Sequence, residues 1–365
     1  MSLISISLIS LLAAASWQDD HRDGLAALRE GQYSRAASLL EAALAGAGKQ
    51  NASAVWMGRL RNNHASALYQ AGAYEGAEAG FRDALRYWRT APEATPQERA
   101  RVHNNLAVLY RQWWRLDAAA LQAREALALD RAALFWHTLG EVLRLQGRYT
   151  ESLRALDAAE EAGPDPVELG TILQARGGVA MDQGAPAHAE PLYRQAIAEL
   201  RKAYGETHPA VLAAKGNLGV TLIALRRFEE AEPLLGSVHR DARAALGENH
   251  PRVAAAANNM AQLLRAQKRY READGLYREA LSIWRQVFGE SHPEYAKGLH
   301  NLASLFVEQG KLAGAEKLYA EALRVADANF GKQHAQTRLH LSGLEQVYRI
   351  QKRSTELARL LRSFR

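Results

Sequence analysis

Between Pro251 and Phe288 the apolar positions fall into two runs of helical period. Val253, Ala257, Met260, Ala261 and Leu264 recur at steps of three and four, the spacing of one buried stripe on a helix. After Arg269-Tyr270 a second run, Ala273, Leu276, Tyr277, Ala280, Leu281 and Trp284, keeps that period up to Gly289. One helix pair cannot bury both stripes alone, so the pattern calls for stacked copies of itself. The chain supplies them. The phrase Gly205-Glu206-Thr207-His208-Pro209 returns as Gly247-Glu248-Asn249-His250-Pro251, as Gly289-Glu290-Ser291-His292-Pro293 and, worn, as Gly331-Lys332-Gln333-His334-Ala335, each copy 42 residues after the last. Its chemistry is punctuation: Gly closes one helix in a left-handed conformation, a polar residue or His caps the next, and Pro takes its first turn. The reading is an all-α solenoid, one continuous array of roughly eight to nine helix pairs.

Inside each pair a small or basic residue before an aromatic marks the turn: Gly31-Gln32-Tyr33, Gly72-Ala73-Tyr74, Gly147-Arg148-Tyr149, Arg226-Arg227-Phe228 and Lys268-Arg269-Tyr270. Three positions on stands a small residue, among them Ala36, Ala77, Ser152, Ala231 and Ala315, which lets the two helices approach. Trp136-His137-Thr138-Leu139-Gly140, followed by Gly147-Arg148-Tyr149 and Ala155, resembles the tetratricopeptide repeat. The units with His292-Pro293, Asn301-Leu302-Ala303 and Ala315-Glu316-Lys317-Leu318-Tyr319 resemble the subclass of kinesin light chains and many bacterial tetratricopeptide proteins. The resemblance covers roughly residues 20 to 364. It implies a right-handed superhelical α-solenoid whose first helices line a concave groove, and a non-catalytic scaffold that holds a peptide or partner protein there.

The segments divide as follows. Residues 1–16 carry the charge-free run Met1 to Ala15, which resembles a signal peptide without basic residues before Arg22. Cleavage there means export to the periplasm; an uncleaved apolar helix means a cytoplasmic protein. Residues 17–163 hold the first four units, with Gly46-Ala47-Gly48 as a break, and 164–204 a degenerate fifth, with Arg176 at a usual Leu position and Pro186 at the turn. Residues 205–365 hold the regular units. The closing run Leu357, Leu360, Leu361 and Phe364, with Arg359, Arg362 and Arg365 between, is either a cap or a docking helix.

Composition narrows the function classes. There is no Cys, which excludes disulfides, thiolate metal sites and a thiol nucleophile. Net charge is +6, but 46 basic residues are interleaved with 40 acidic ones, a solvated helical surface with a basic bias. That bias keeps an RNA- or polyanion-binding repeat as the second class. His208, His250 and His292 fall one to a unit, and packed helices lie about 8–10 Å apart, too far for a shared zinc. With no catalytic motif in a suitable place, the expectation is no enzyme, no cofactor and no metal.

The first helices repeat one polar choice: Asn63, Asn105, Asn217, Asn259 and Asn301 stand two residues before the small residue. Asn is a poor helix-interior residue, so its repeated use needs a reason. Either each amide holds the backbone of an extended peptide in the groove, or it bonds the neighbouring unit and keeps the stack in register. Arg59, Arg101 and Lys297 lie four residues before three of these asparagines, and Arg111, Arg144 and Arg265 one or two turns further along the same face. Such a face is similar to the grooves of this family that clamp acidic segments. Trp113-Trp114 either anchor a partner or fill the turn where Gly is usual.

Overall fold

The computed structural model describes residues 16–29 and 32–364. The apolar run Met1 to Ala15, the turn residue Gly31 and Arg365 lie outside the described residues. Among the described residues there are eighteen helices and no strand. They fall into two compact units, with the chain dividing between Leu109 and Tyr110. The first contains α1 (Trp17–Arg29), α2 (Tyr33–Lys49), α3 (Ala54–Gln70), α4 (Tyr74–Arg89) and most of α5 (Pro96–Gln112). The second contains α6 (Leu116–Leu129), α7 (Ala133–Leu145), α8 (Tyr149–Glu161), α9 (Pro166–Asp182), α10 (Pro186–Tyr204), α11 (Pro209–Ala224) and α12 (Phe228–Leu246). It continues through α13 (Pro251–Ala266), α14 (Tyr270–Phe288), α15 (Pro293–Glu308), α16 (Leu312–Phe330), α17 (Ala335–Ile350) and α18 (Ser354–Ser363). Each unit is a stack of antiparallel helices in which chain neighbours pack together, from α1 to α4 in the first and from α6 to α18 in the second, the α-solenoid class expected.

The repeated phrase works as punctuation, with one correction. Gly205, Gly247, Gly289 and Gly331 have φ between 77° and 82° but ψ between 161° and 173°. This is the extended region that only glycine enters freely, not the left-handed helical well. The reason is direction: the chain must leave one helix straight to reach the next cap three residues on. There the Nδ1 of His208, His250, His292 and His334 accepts the backbone N–H two residues ahead, at 3.1 to 3.3 Å. The ring also stacks on the last aromatic of the preceding helix, Tyr204 on His208 at 4.0 Å and Phe288 on His292 at 4.2 Å. Burial lowers the pKa of all four imidazoles, which keeps Nδ1 an acceptor.

One further expectation changes. Gly46 and Gly48 do not break the first pair, because α2 runs on to Lys49. Gly46 is instead where Trp17 packs, and a Cβ there would come within 2.9 Å of the Trp17 Cβ. In the fifth pair Pro186 sits in the first turn of α10, where no N–H is missed, and Asp165 with Glu168 forms a capping box on α9. Arg176 there pairs with Asp157 at 2.5 Å and Glu160 at 2.8 Å.

The core follows the helix stripes. Its largest almost fully buried members are Phe81 in the first unit and Trp284 and Tyr277 in the second. Trp114, at φ 55° in the turn after α5, lies 5.0 Å from the Phe330 ring and edge-on to His334 at 6.1 Å. Trp113 sits beneath the Arg115 guanidinium at 4.5 Å. At the other end α18 lays Phe364 into the cluster of Leu341, Leu344 and Val347. No helix of the described residues is long and apolar enough to cross a membrane.

Candidate functional site

The first helices of successive pairs present the repeated asparagines to one another, and three of the five are engaged. In the first unit Asn63 Nδ2 meets His21 Nε2 at 3.0 Å, and Asn105 Nδ2 donates to Asn62 Oδ1 at 2.9 Å. In the second unit Asn301 Nδ2 donates to Asn258 Oδ1 at 2.8 Å. The offset is one unit plus one residue, 43 positions in both Asn–Asn bonds. Thus the acceptor is the residue just before the preceding asparagine. These amides tie neighbouring units in register.

Asn217 and Asn259 differ. The offset rule pairs Asn259 with position 216, which is Gly216 and has no side chain to accept; a Cβ there would lie 3.4 Å from the Asn259 Nδ2. Neither Asn217 nor Asn259 makes a side-chain hydrogen bond among the described residues. Both line a cavity of about 130 Å³ between α11, α12 and α13. Its wall is apolar, with Leu212, Gly216, Val238, Ala242, Leu246 and Ala256, and Arg252 stands at its rim. Asn217 and Arg252 are exposed, so the hollow opens to solvent.

Most of the cations on these faces are already answered. In the first unit Arg59 pairs with Glu98 at 2.5 Å and lies over the Trp56 ring at 5.2 Å, while Arg101 is exposed. In the second unit Glu141 sits between Arg111 at 3.3 Å and Arg144 at 3.1 Å, and Arg144 reaches on to Asp182 at 2.6 Å. Burial alone would raise the Glu141 carboxyl, but Arg144, Arg111 and His137 more than reverse it and hold it at about 2. His137 beside it is pushed down to about 4, chiefly by burial, with Arg111 adding to the shift. Arg265 faces Glu308 at 3.8 Å and Lys297 faces Glu294 at 3.6 Å. Arg252 has no carboxylate within ion-pair distance among the described residues.

Sequence reasoning thus named one member of each rung and one member of each ion pair. It missed Asn62, Asn258 and Gly216, the acceptor positions, and Glu98, Glu141, Asp182 and Glu308, the carboxylates. It also missed Arg252 and Ala242. The signal was present in the 42-residue period, had the alignment been carried one residue back and through the second helices.

Comparison with known proteins shows the repeat family and the fold. A tetratricopeptide repeat model matches residues 168–244, 211–285, 252–328 and 298–359, together more than half of the chain. No curated protein matches it. Among solved structures, a kinesin light chain-like protein of nearly identical repeats from Podosopora anserina is 21% identical and covers 55% of this chain and 94% of its own, with a TM-score of 0.45. BtubC from P. vanneervenii is 17% identical over 70% of this chain and 88% of its own, TM-score 0.44. A Rap protein complexed with competence and sporulation factor is 15% identical over 84% of this chain and 96% of its own, TM-score 0.58, a likeness of fold.

Proposed function

The chain belongs to the tetratricopeptide repeat family, and from that premise we propose that it is a non-catalytic scaffold holding an extended segment of a partner protein against the first helices of its pairs. Proteins of this family are generally interaction scaffolds. The observation that carries the reading is local: Asn217 and Asn259 keep both donor and acceptor uncommitted on an open face, while their counterparts are spent on the stack. An amide so placed satisfies the N–H and the C=O of a passing backbone at once.

Acidic segments fit less broadly than the run of cations suggests. Arg59, Arg111, Arg144 and Arg265 each face a carboxylate of this chain. The same pairing ranks RNA or another polyanion second. A steep fall of nucleic-acid binding with salt would reverse that ranking.

The test is affinity co-purification from native cells of the full chain beside a variant carrying Asn217→Ala and Asn259→Ala, with Asn301→Ala as the structural control. Loss of a specific bound protein in the first variant, with circular dichroism unchanged, is the expected result. Retention of every partner in that variant would remove these asparagines from the binding surface.

A further inference from the structure

One position of the second helix in each pair sets how full the joint above it is. In successive units it is Leu200, Ala242, Trp284 and Ala326, 42 residues apart. Leu200 and Trp284 are buried and fill their joints. In the unit of Ala326 the first helices supply the bulk instead, with the imidazoles of His300 and His340 meeting Nδ1 to Nδ1 at 3.0 Å. At Ala242 neither device is present, for Gly216 stands where the next joint has Asn258. The cavity of about 130 Å³ is what remains.

Its rim is polar in one particular way. Besides the two free amides it carries Arg252, the second residue of α13, where the helix dipole favours an acid. The equivalent residue of the next unit is Glu294. The His208 and His250 imidazoles, lowered first by burial, are lowered further by Arg252, so this corner is electropositive with no carboxylate to answer it. An apolar hollow next to an unanswered guanidinium asks for an apolar group next to an acid.

We propose that this cavity is the anchoring pocket for one leucine- or phenylalanine-sized side chain of an extended partner peptide, with an Asp or Glu of the same peptide paired to Arg252 and its backbone held by Asn217 and Asn259. The inference rests on the scaffold reading and narrows it to one joint. Size supports it: an engineered hollow of ~150 Å³ in another protein takes up benzene. The neighbouring joint shows what happens when such a space is filled from within, since there Trp284 occupies it and no free amide is left at Asn301.

The experiment is selection of a random-peptide display library on the immobilised full chain, followed by affinity measurement of the enriched peptides on Ala242→Trp and Arg252→Glu. The expected outcome is a consensus with one Leu, Ile, Met or Phe near an Asp or Glu, weakened by ~10-fold or more in each variant. Ala242→Trp copies Trp284; if circular dichroism shows that it does not fold, Ala242→Leu, which copies Leu200, takes its place. Peptides that bind the filled variant as tightly as the parent overturn the pocket while leaving the scaffold reading intact. Failure to enrich any peptide on the parent overturns the pocket too, and the co-purification then decides whether the scaffold reading falls with it.

Discussion

The joint between α11 and α13 and the joint between α13 and α15 are written in the same 42-residue text, yet one is open and the other closed. In the closed joint Asn301 reaches Asn258 and the Trp284 indole lies against Gly298, whose Cβ, if it had one, would come within 2.9 Å of the ring. In the open joint Asn259 faces Gly216, and Ala242 stands where the indole would be. Two small residues make the difference. A rung of this ladder is a pair of positions, so the same asparagine is structural where its acceptor exists and available where the acceptor is glycine.

The largest effect expected comes from opening the closed joint. Trp284→Ala removes a buried indole next to a helix that cannot collapse onto it, and should cost about 3–5 kcal/mol. Urea unfolding would measure it, with hydrogen exchange along α13 and α15 to show that the loss is local. A shift below about 1 kcal/mol would mean that Trp284 does not close this joint, and the contrast with Ala242 would fail.

The third joint offers a chemical way to the same end. His300 and His340 share one hydrogen bond through their Nδ1 atoms, one donating and the other accepting, and burial pushes them down to about 4 and about 3, helped by Arg265 at His300 and by His300 at His340. Tyr319, which packs edge-on to His300, brings no charge. A histidine whose folded pKa is depressed stabilises the fold above the unfolded value near 6.5, and that contribution drains away as pH falls from 6.5 towards the folded value. Between pH 7 and pH 5 each of the two should cost about 2 kcal/mol, since the unfolded chain takes up both protons and the folded chain almost none. A His340→Leu variant should lose about half of this slope, because burial and Arg265 still hold His300 down, and an unchanged slope would place the acid sensitivity at the capping histidines.

Much of the fold was legible because capping chemistry and stripe period are local. The Gly-to-Pro phrase, the turn aromatics and the small residues at crossings each fix backbone geometry within a few residues of themselves. The site was legible only by half. An asparagine at Asn259 and one at Asn301 read identically, and what separates them is the residue 43 positions back, Gly216 or Asn258. The arginines misled for the same reason: nothing next to Arg144 in sequence shows that Asp182 will neutralise it. Gly46 misled in the other direction, since a helical glycine that admits Trp17 looks like a break.

The asparagines themselves sharpen the comparison at smaller scale. Asn301→Ala leaves the Oδ1 of buried Asn258 without its donor and should cost about 1.5 kcal/mol. Asn259→Ala removes an amide with no side-chain bond and should change stability by less than about 0.5 kcal/mol. Equal losses in the two variants, read from the same urea curves, would erase the distinction between structural and available rungs.

The smallest effect is the most direct. Gly216→Asn writes the missing acceptor into the open joint at the offset that Asn62 and Asn258 occupy elsewhere. Space permits it, because the nearest atom to a new Cβ is the Asn259 Nδ2 at 3.4 Å. Replacing a mid-helix glycine should also favour α11 by a few tenths of a kcal/mol. Together with one net amide bond the gain should reach about 1 kcal/mol. The informative part is what accompanies it. If Asn259 is available only because its partner is absent, supplying the partner should raise stability and weaken peptide binding in one stroke. A variant that gains stability and binds as before would show that the amide of Asn259 takes no part in recognition, whatever fills the hollow beside it.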